Sequence, residues 1–213
     1  MAYLLYLDTS AQATQVICLQ NDTVLSERII PESRDHGQYI HTLIDEVLLE
    51  SKLTLSQLDG LIVLNGPGSY TGLRIALSVA KGLCYALQKP LYLLHKLQVT
   101  AIASLEQTPQ GPFSVIARAR AGEYFYAHYN QDGNLQGEAT LVTSEALAQI
   151  PHPLYTFQLP EDCDWEGANY VPLQASTLAK CSFDAFLNEK PADLMYSEPF
   201  YLKNVYINKI NKL

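Results

Sequence analysis

This chain predicts a two-lobed α/β protein, each lobe a mixed sheet flanked by helices, and three observations carry that expectation. Apolar runs of strand length come three in succession near the start and three again near the middle. Each triplet gives way to segments that alternate between helical and strand periodicity. At 213 residues the chain outgrows one small core and suits two modest ones.

Residues 3–8 (YLLYLD) are a short apolar run fit for a buried strand, and residues 14–19 (TQVICL) follow across the polar turn Asp8-Thr9-Ser10-Ala11-Gln12. Asn21-Asp22 turns the chain into residues 23–30, because both side chains tolerate positive φ and bond to their own backbone. From Gly37 the period lengthens: Ile40, Leu43, Ile44, Val47 and Leu48 recur at helical spacing, with Asp45, Glu46 and Glu50 on other faces. Gly60-Leu61-Ile62-Val63-Leu64 lacks polar alternation and reads as a strand covered on both sides. Residues 72–88 form a second helix with a narrow polar stripe at Arg74, Ser78, Lys81, Tyr85 and Gln88. Lys89-Pro90 stops that helix, and residues 91–94 make another buried strand, so the first half reads βββαβαβ.

The second half repeats the order incompletely. Strands are expected over 113–119, 124–129 and 135–142, the last two joined by the Asn130-Gln131-Asp132-Gly133-Asn134 turn. A short helix near 144–149, a strand at 154–157 and an amphipathic helix near 175–186 follow, the last turning Leu178, Ala179, Cys181, Ser182, Ala185 and Phe186 inward. This order, used twice, is that of the duplicated ribonuclease-H-like (actin-like, ASKHA) fold, with lobes expected at 1–104 and 105–213. The fold hosts kinases, ATPases and inert scaffolds alike, so activity has to be argued from side chains.

A formal net charge of −8 and a pI near 5.0 oppose tight direct binding to a phosphate backbone, and Lys203, Lys209 and Lys212 read as a solvated tail. Cys18, Cys84, Cys163 and Cys181 are far apart and form no CxxC pair, so they read as reduced thiols. The opening apolar run ends at Asp8, too soon for a signal peptide or a membrane span, which leaves the cytoplasm as the expected compartment.

The strongest local feature is the stretch from Asn65 to Arg74, NGPGSYTGLR. Its glycines permit tight turns and close approach, and the N-terminus of the following helix favours an anion. Asp8, Gly66, Gly68, Ser69 and Thr71 are therefore candidates for an anion or nucleotide loop. The alternative is a plain strand-to-helix connection capped by Ser69 or Thr71, with Asp8 filling a hairpin turn. The loop matches neither a Walker A nor a GxGxxG pattern. Gly72, Ala76 and Ala80 make a small-residue ridge that admits a second helix, from this chain or another subunit. His36 and His41 are spaced too far round a helix to share a metal, so no metal site is expected, and no nucleophile and base set is signalled. Glu123 with Tyr124, Tyr126 and Tyr129 reads as strand packing.

GPGSYTGLRI at residues 66–75 resembles the signature of the TsaB (YeaZ) family. Leu7-Asp8-Thr9-Ser10, His36, Ala119-Arg120-Ala121-Gly122-Glu123 and Glu198-Pro199-Phe200-Tyr201-Leu202-Lys203-Asn204 extend the resemblance over nearly the whole chain. The family departs at two positions, commonly carrying aspartate where Arg118 stands and glycine where Ala76 stands. The resemblance implies a non-catalytic subunit that pairs through its first-lobe helices with TsaD, an actin-like relative. TsaE, a small ATPase, joins that assembly, which puts threonylcarbamoyl on the adenosine beside the anticodon of tRNA. It further implies that His36, Ile40, Leu43, Val47, Gly72, Ala76 and Ala80 lie at or near the partner interface. No cofactor is expected to be tightly bound, with ATP or ADP entering only within the complex, tRNA met only indirectly, and a homodimer formed when the chain is alone. The rival readings are an ATP-dependent phosphotransferase on the same fold and a glycoprotease-like metallopeptidase.

Overall fold

A computed structural model describes residues 1–31, 36–159, 161–188 and 190–200. The Tyr201 to Asn204 part of the C-terminal motif and the tail lysines lie outside the described residues. Strands β1 (Tyr3–Asp8), β2 (Thr14–Gln20) and β3 (Thr23–Ile30) form an antiparallel meander, and β4 (Gly60–Leu64) and β5 (Leu91–Leu94) add in parallel to give the order β3-β2-β1-β4-β5. Helices α1 (His36–Glu50) and α2 (Tyr70–Leu87) make the two connections. The second sheet has the order β10-β9-β6-β7-β8, from β6 (Phe113–Arg120), β7 (Glu123–Tyr129), β8 (Thr140–Thr143), β9 (Leu154–Thr156) and β10 (Asn169–Tyr170). Helices α3 (Lys96–Ser104), α4 (Ser144–Leu147) and α5 (Ala175–Asn188) complete the described elements. This is the duplicated actin-like arrangement.

Strand parity explains the continuous apolar runs. Leu5, Leu7, Val16, Cys18, Leu61 and Val63 point to one face, where Ile40, Leu43 and Val47 of α1 and Ala76, Leu77 and Ala80 of α2 cover them. Leu4, Tyr6, Ile17, Leu19 and Ile62 point to the other, under Leu178, Ala179, Cys181 and Ala185 of α5. Both faces are dry, so alternation would leave polar groups buried. Asn21 adopts φ 53° between β2 and β3, in the turn its residue type suggests.

Three elements differ from expectation. Residues 96–104, not anticipated as a helix, form α3, whose Leu97, Ala101 and Ala103 pack on Phe113, Val115 and Tyr129 of the second sheet. Its mixed sequence, KLQVTAIAS, is buried almost all round and so lacks the polar stripe that marks a surface helix. The third strand of the second sheet starts at Thr140 rather than Leu135, with Leu135 making only an isolated bridge to Tyr129. Strand β10 was also unforeseen; two exposed residues carry no period. Among the described residues no helix is long and apolar enough to cross a membrane.

Candidate functional site

The β1–β2 turn and the glycine-rich loop after β4 meet at the mouth of a cleft of about 1260 Å³ between the two sheets. The closeness of that meeting decides what the loop can do. The amide of Ser69 donates to the Ser10 carbonyl at 2.7 Å, and a Cβ on Gly68 would lie 2.8 Å from the Ser10 Cβ. A Cβ on Gly72 would overlap the Thr9 carbonyl oxygen and reach its carbonyl carbon at 2.8 Å. These glycines admit the protein's own backbone. Gly66 holds φ at +98°, a left-handed conformation suited to glycine, and the Gly66–Pro67 peptide is cis.

Thr9 carries the contact into the helix. Its hydroxyl donates to the Gly72 carbonyl at 2.6 Å and accepts from the Ala76 amide at 3.2 Å, standing between the two partners of one α-helical hydrogen bond. Ser69 caps α2, its Oγ accepting from the Gly72 amide at 3.3 Å, while Thr71 is exposed. A cap with a tight connection is therefore what the loop forms, the plainer of the two readings open from sequence.

Asp8 is buried at 7% exposure. Its Oδ1 accepts from the Ser10 amide at 2.7 Å and the Ser10 hydroxyl at 2.5 Å. Lys96, 3% exposed, donates to Ser10 Oγ at 2.6 Å and sits 3.5 Å from Asp8 Oδ2. That ammonium is not among the site residues expected from sequence, because a single lysine in a stretch without a readable period gives no signal. It places a fixed positive charge beside the carboxylate, and its Nζ lies 5.0 Å from the centroid of the Phe157 ring. Burial without pairing would be costly for either charge, so each accounts for the other.

The C-terminal segment straps the same region. Phe200 N donates to Asn65 O, Lys81 Nζ to Ser197 O at 2.6 Å, and the Phe200 ring meets His95 edge-on at 4.1 Å between centroids. Burial pushes the His95 imidazole down to about 4, so it is neutral at physiological pH.

The residues expected at a partner interface are placed differently. Ile40, Leu43, Val47, Ala76 and Ala80 are each at most 4% exposed and belong to this chain's own core, and Gly72 abuts Thr9. The small-residue ridge faces the first sheet, with the Thr9 backbone against Gly72 and with Ala76 and Ala80 inside the core. A bulky residue at Ala76 would thus disturb folding. His36 is half-buried, its Nδ1 2.7 Å from Thr14 Oγ1. What the helices turn outward on α2 is a shallow groove of about 440 Å³ lined by Tyr70, Thr71, Arg74, Ile75, Ser78 and Val79, with Tyr85 beyond it at 82% exposure. Tyr39 and Leu49 are exposed on α1. Among the described residues no group of three or more His, Cys, Asp or Glu side chains is arranged to hold a metal.

A family model described as "TsaD: tRNA N6-adenosine threonylcarbamoyltransferase" matches residues 20–184. The chain is 38% identical over 96 residues to a tRNA N6-adenosine threonylcarbamoyltransferase of Legionella pneumophila, a match that takes in 44% of this chain and 29% of that protein. So the chain spans under a third of the length of that transferase. It is 29% identical over 220 residues to the tRNA threonylcarbamoyladenosine biosynthesis protein TsaB of Escherichia coli, covering 94% of each. YeaZ from Pseudomonas aeruginosa superposes with a TM-score of 0.75 at 26% identity, over 95% of this chain and 100% of that one. With its GPGSYTGLRI loop and end-to-end match, the chain belongs to the TsaD family and, within it, to the TsaB (YeaZ) group.

Proposed function

We propose that this chain serves the formation of threonylcarbamoyladenosine in tRNA as an accessory subunit with no reacting group of its own. It docks on a TsaD-type subunit, which supplies the transfer chemistry; TsaE joins the assembly, and tRNA is met through these partners. End-to-end similarity to the Escherichia coli tRNA threonylcarbamoyladenosine biosynthesis protein TsaB supports the pathway. The observation that carries the accessory role is the state of Asp8: its carboxylate is closed in by Ser10 and Lys96, and the neighbouring loop bonds to the chain itself.

The docking surface is the outward face of α1 and α2 in residues 1–104, where Tyr70, Ile75, Val79 and Tyr85 present apolar and aromatic area on one helix. Tyrosine-rich, shallow surfaces of this kind suit protein interfaces. The same face supports a homodimer when TsaD is absent, and ATP or ADP enters only with the assembled complex.

Capture of the TsaD subunit by Val79→Glu and Tyr85→Ala chains is the direct test. Both variants keep the far-UV circular dichroism of the parent and lose capture, and cells dependent on Val79→Glu accumulate unmodified tRNA. Undiminished capture by both removes the docking face, and turnover of substrate by the isolated chain removes the accessory role.

A further inference from the structure

The C-terminal strap closes over polar atoms that it leaves without partners. Its first half is anchored: Ala192 N donates to Leu91 O at 2.7 Å, and Ala192 and Leu194 pack on the core of the first sheet. From Met195 onward the grip is thin. Met195 and Tyr196 are 76% and 77% exposed. The segment is held by Lys81 Nζ on Ser197 O, by Asn65 Nδ2 on Glu198 O at 3.3 Å, by Phe200 N on Asn65 O at 3.2 Å, and by the Phe200 ring against His95. A segment with few buried apolar contacts and few hydrogen bonds opens locally, ahead of global unfolding. Beneath and within it, Asn65 Oδ1, His95 Nε2 and Ser197 Oγ are buried with no hydrogen-bond partner among the described residues, half of the six such side-chain atoms found there. The desolvation cost of closure is therefore concentrated at this one place, and opening relieves it.

His95 makes that cost depend on protons. It is the N-cap residue of α3, where the positive end of the helix disfavours an imidazolium, and its side chain caps no amide. The charged groups on the elements around it are engaged elsewhere or lie on the strap itself. Lys96 on α3 is turned to Ser10 and Asp8, and Lys81 on α2 to Ser197 O. On the strap, Asp193 accepts from the Met195 and Tyr196 amides, and Glu198 offers its carbonyl to Asn65. Burial is what lowers the imidazole, from 6.5 to about 4. A ring released to water regains its ordinary value, so the closed state binds fewer protons than the open one, and closure weakens as pH falls through that window. We propose that residues 195–200 form a proton-sensitive latch over the carboxyl ends of β4 and β5, released by protonation of His95 while both sheets stay folded.

Hydrogen exchange of the full chain between pH 7 and 5, read by mass spectrometry and corrected for intrinsic rates, tests this; carboxylates stay ionised over most of that range. Opening of peptides covering residues 195–200 rises roughly twentyfold from pH 7 to pH 5, the ratio set by 6.5 for the released ring and about 4 for the covered one. Peptides from β1 and β4 remain far more protected throughout. His95→Gln reduces the rise to less than about twofold, and Glu198→Gln leaves it as in the parent. Lys81→Met raises opening about tenfold at every pH without changing the slope, which separates a lost strut from a lost titration. The proposal is overturned if the strap exchanges no faster than β1 and β4, if the parent changes less than about twofold, or if His95→Gln keeps the full rise. None of these outcomes bears on capture of the TsaD subunit, so the two proposals fail separately.

Discussion

Gly72→Ala and Gly82→Ala are the same substitution ten residues apart on one helix, and the structure assigns them opposite signs. At Gly82 a Cβ meets nothing within 4 Å, and the position is exposed in the interior of α2. Alanine there gains helix propensity and reduces the entropy of the unfolded chain, for about 0.5–1 kcal/mol of added stability. At Gly72 the new Cβ lies 2.8 Å from the Thr9 carbonyl carbon, where ordinary contact begins at 3.4 Å, and it overlaps the carbonyl oxygen outright. Both sides of that contact are backbone, so α2 and the β1–β2 turn must separate by more than half an ångström. Separation also strains the Thr9 hydroxyl bridge to Gly72 and Ala76. Overpacking costs roughly 1–3 kcal/mol and each disturbed hydrogen bond about 1 kcal/mol more, for a loss of about 3–5 kcal/mol. For a chain of this size that lowers Tm by roughly 10 °C, against a rise of about 2–3 °C for Gly82→Ala. Urea unfolding followed by circular dichroism reads both values on the isolated chain. A Gly72→Ala protein within about 1 kcal/mol of the parent would refute the close-approach argument, as would shifts of the same sign in the two variants.

Lys96→Met leaves Asp8 buried without its cation and loses about 3–5 kcal/mol in urea unfolding, while adding Asp8→Asn to it restores part of that loss, a non-additivity that independent sites would not show. His95 carries a pH signature of definite sign: the unfolded imidazole binds a proton below about 6.5 and the folded one only near about 4. Stability therefore falls as pH drops through that window, by up to about 1.4 kcal/mol per pH unit from this group, and the slope flattens in His95→Leu. The four cysteines are buried, with burial pushing the Cys84 thiol up to about 12 and Cys181 to about 11. Native protein consequently reacts with an aromatic disulfide at pH 8 far more slowly than protein in denaturant, and rapid native labelling would contradict the burial of these thiols.

Much of the fold was legible because its elements obey one period at a time. The runs at 3–8 and 60–64 carry no alternation, and the structure covers both faces of each. The stripe at Arg74, Ser78 and Tyr85 marked the solvent side of α2, and all three are exposed there. Helix α3 escaped notice for the opposite reason: packed on several sides, it has no polar stripe to read. The candidate site was legible only in part. The GPGSYTG stretch announced a special backbone, yet glycine spacing is blind to what approaches it, and here the visitor is Ser10 and Thr9 of the same chain. The ridge of Gly72, Ala76 and Ala80 has the same ambiguity, since smallness reports that something comes near without saying what. Lys96 could be recognised only once three dimensions brought it to Asp8 across 88 residues of chain.

Where α3 and α5 lie makes Lys96 more than a local detail. Helix α3 follows the last strand of the first sheet but packs on the second, through Leu97, Ala101 and Ala103. Helix α5 follows the second sheet but packs on the first, through Leu178, Ala179 and Cys181. Each sheet thus borrows a helix from the other half of the chain, and neither sheet has both faces covered by its own half alone. Lys96 begins the borrowed α3, its amide donates to Gly66 O at 2.7 Å, and its ammonium holds Ser10 and Asp8. The glycine-rich loop, the β1–β2 turn and the second lobe are therefore tied at one buried residue. From that residue the path to α2 is short, through Ser10 to Ser69 and through Thr9 to Gly72 and Ala76. The turn and loop residues are thus spent on fixing the N-terminal end of α2.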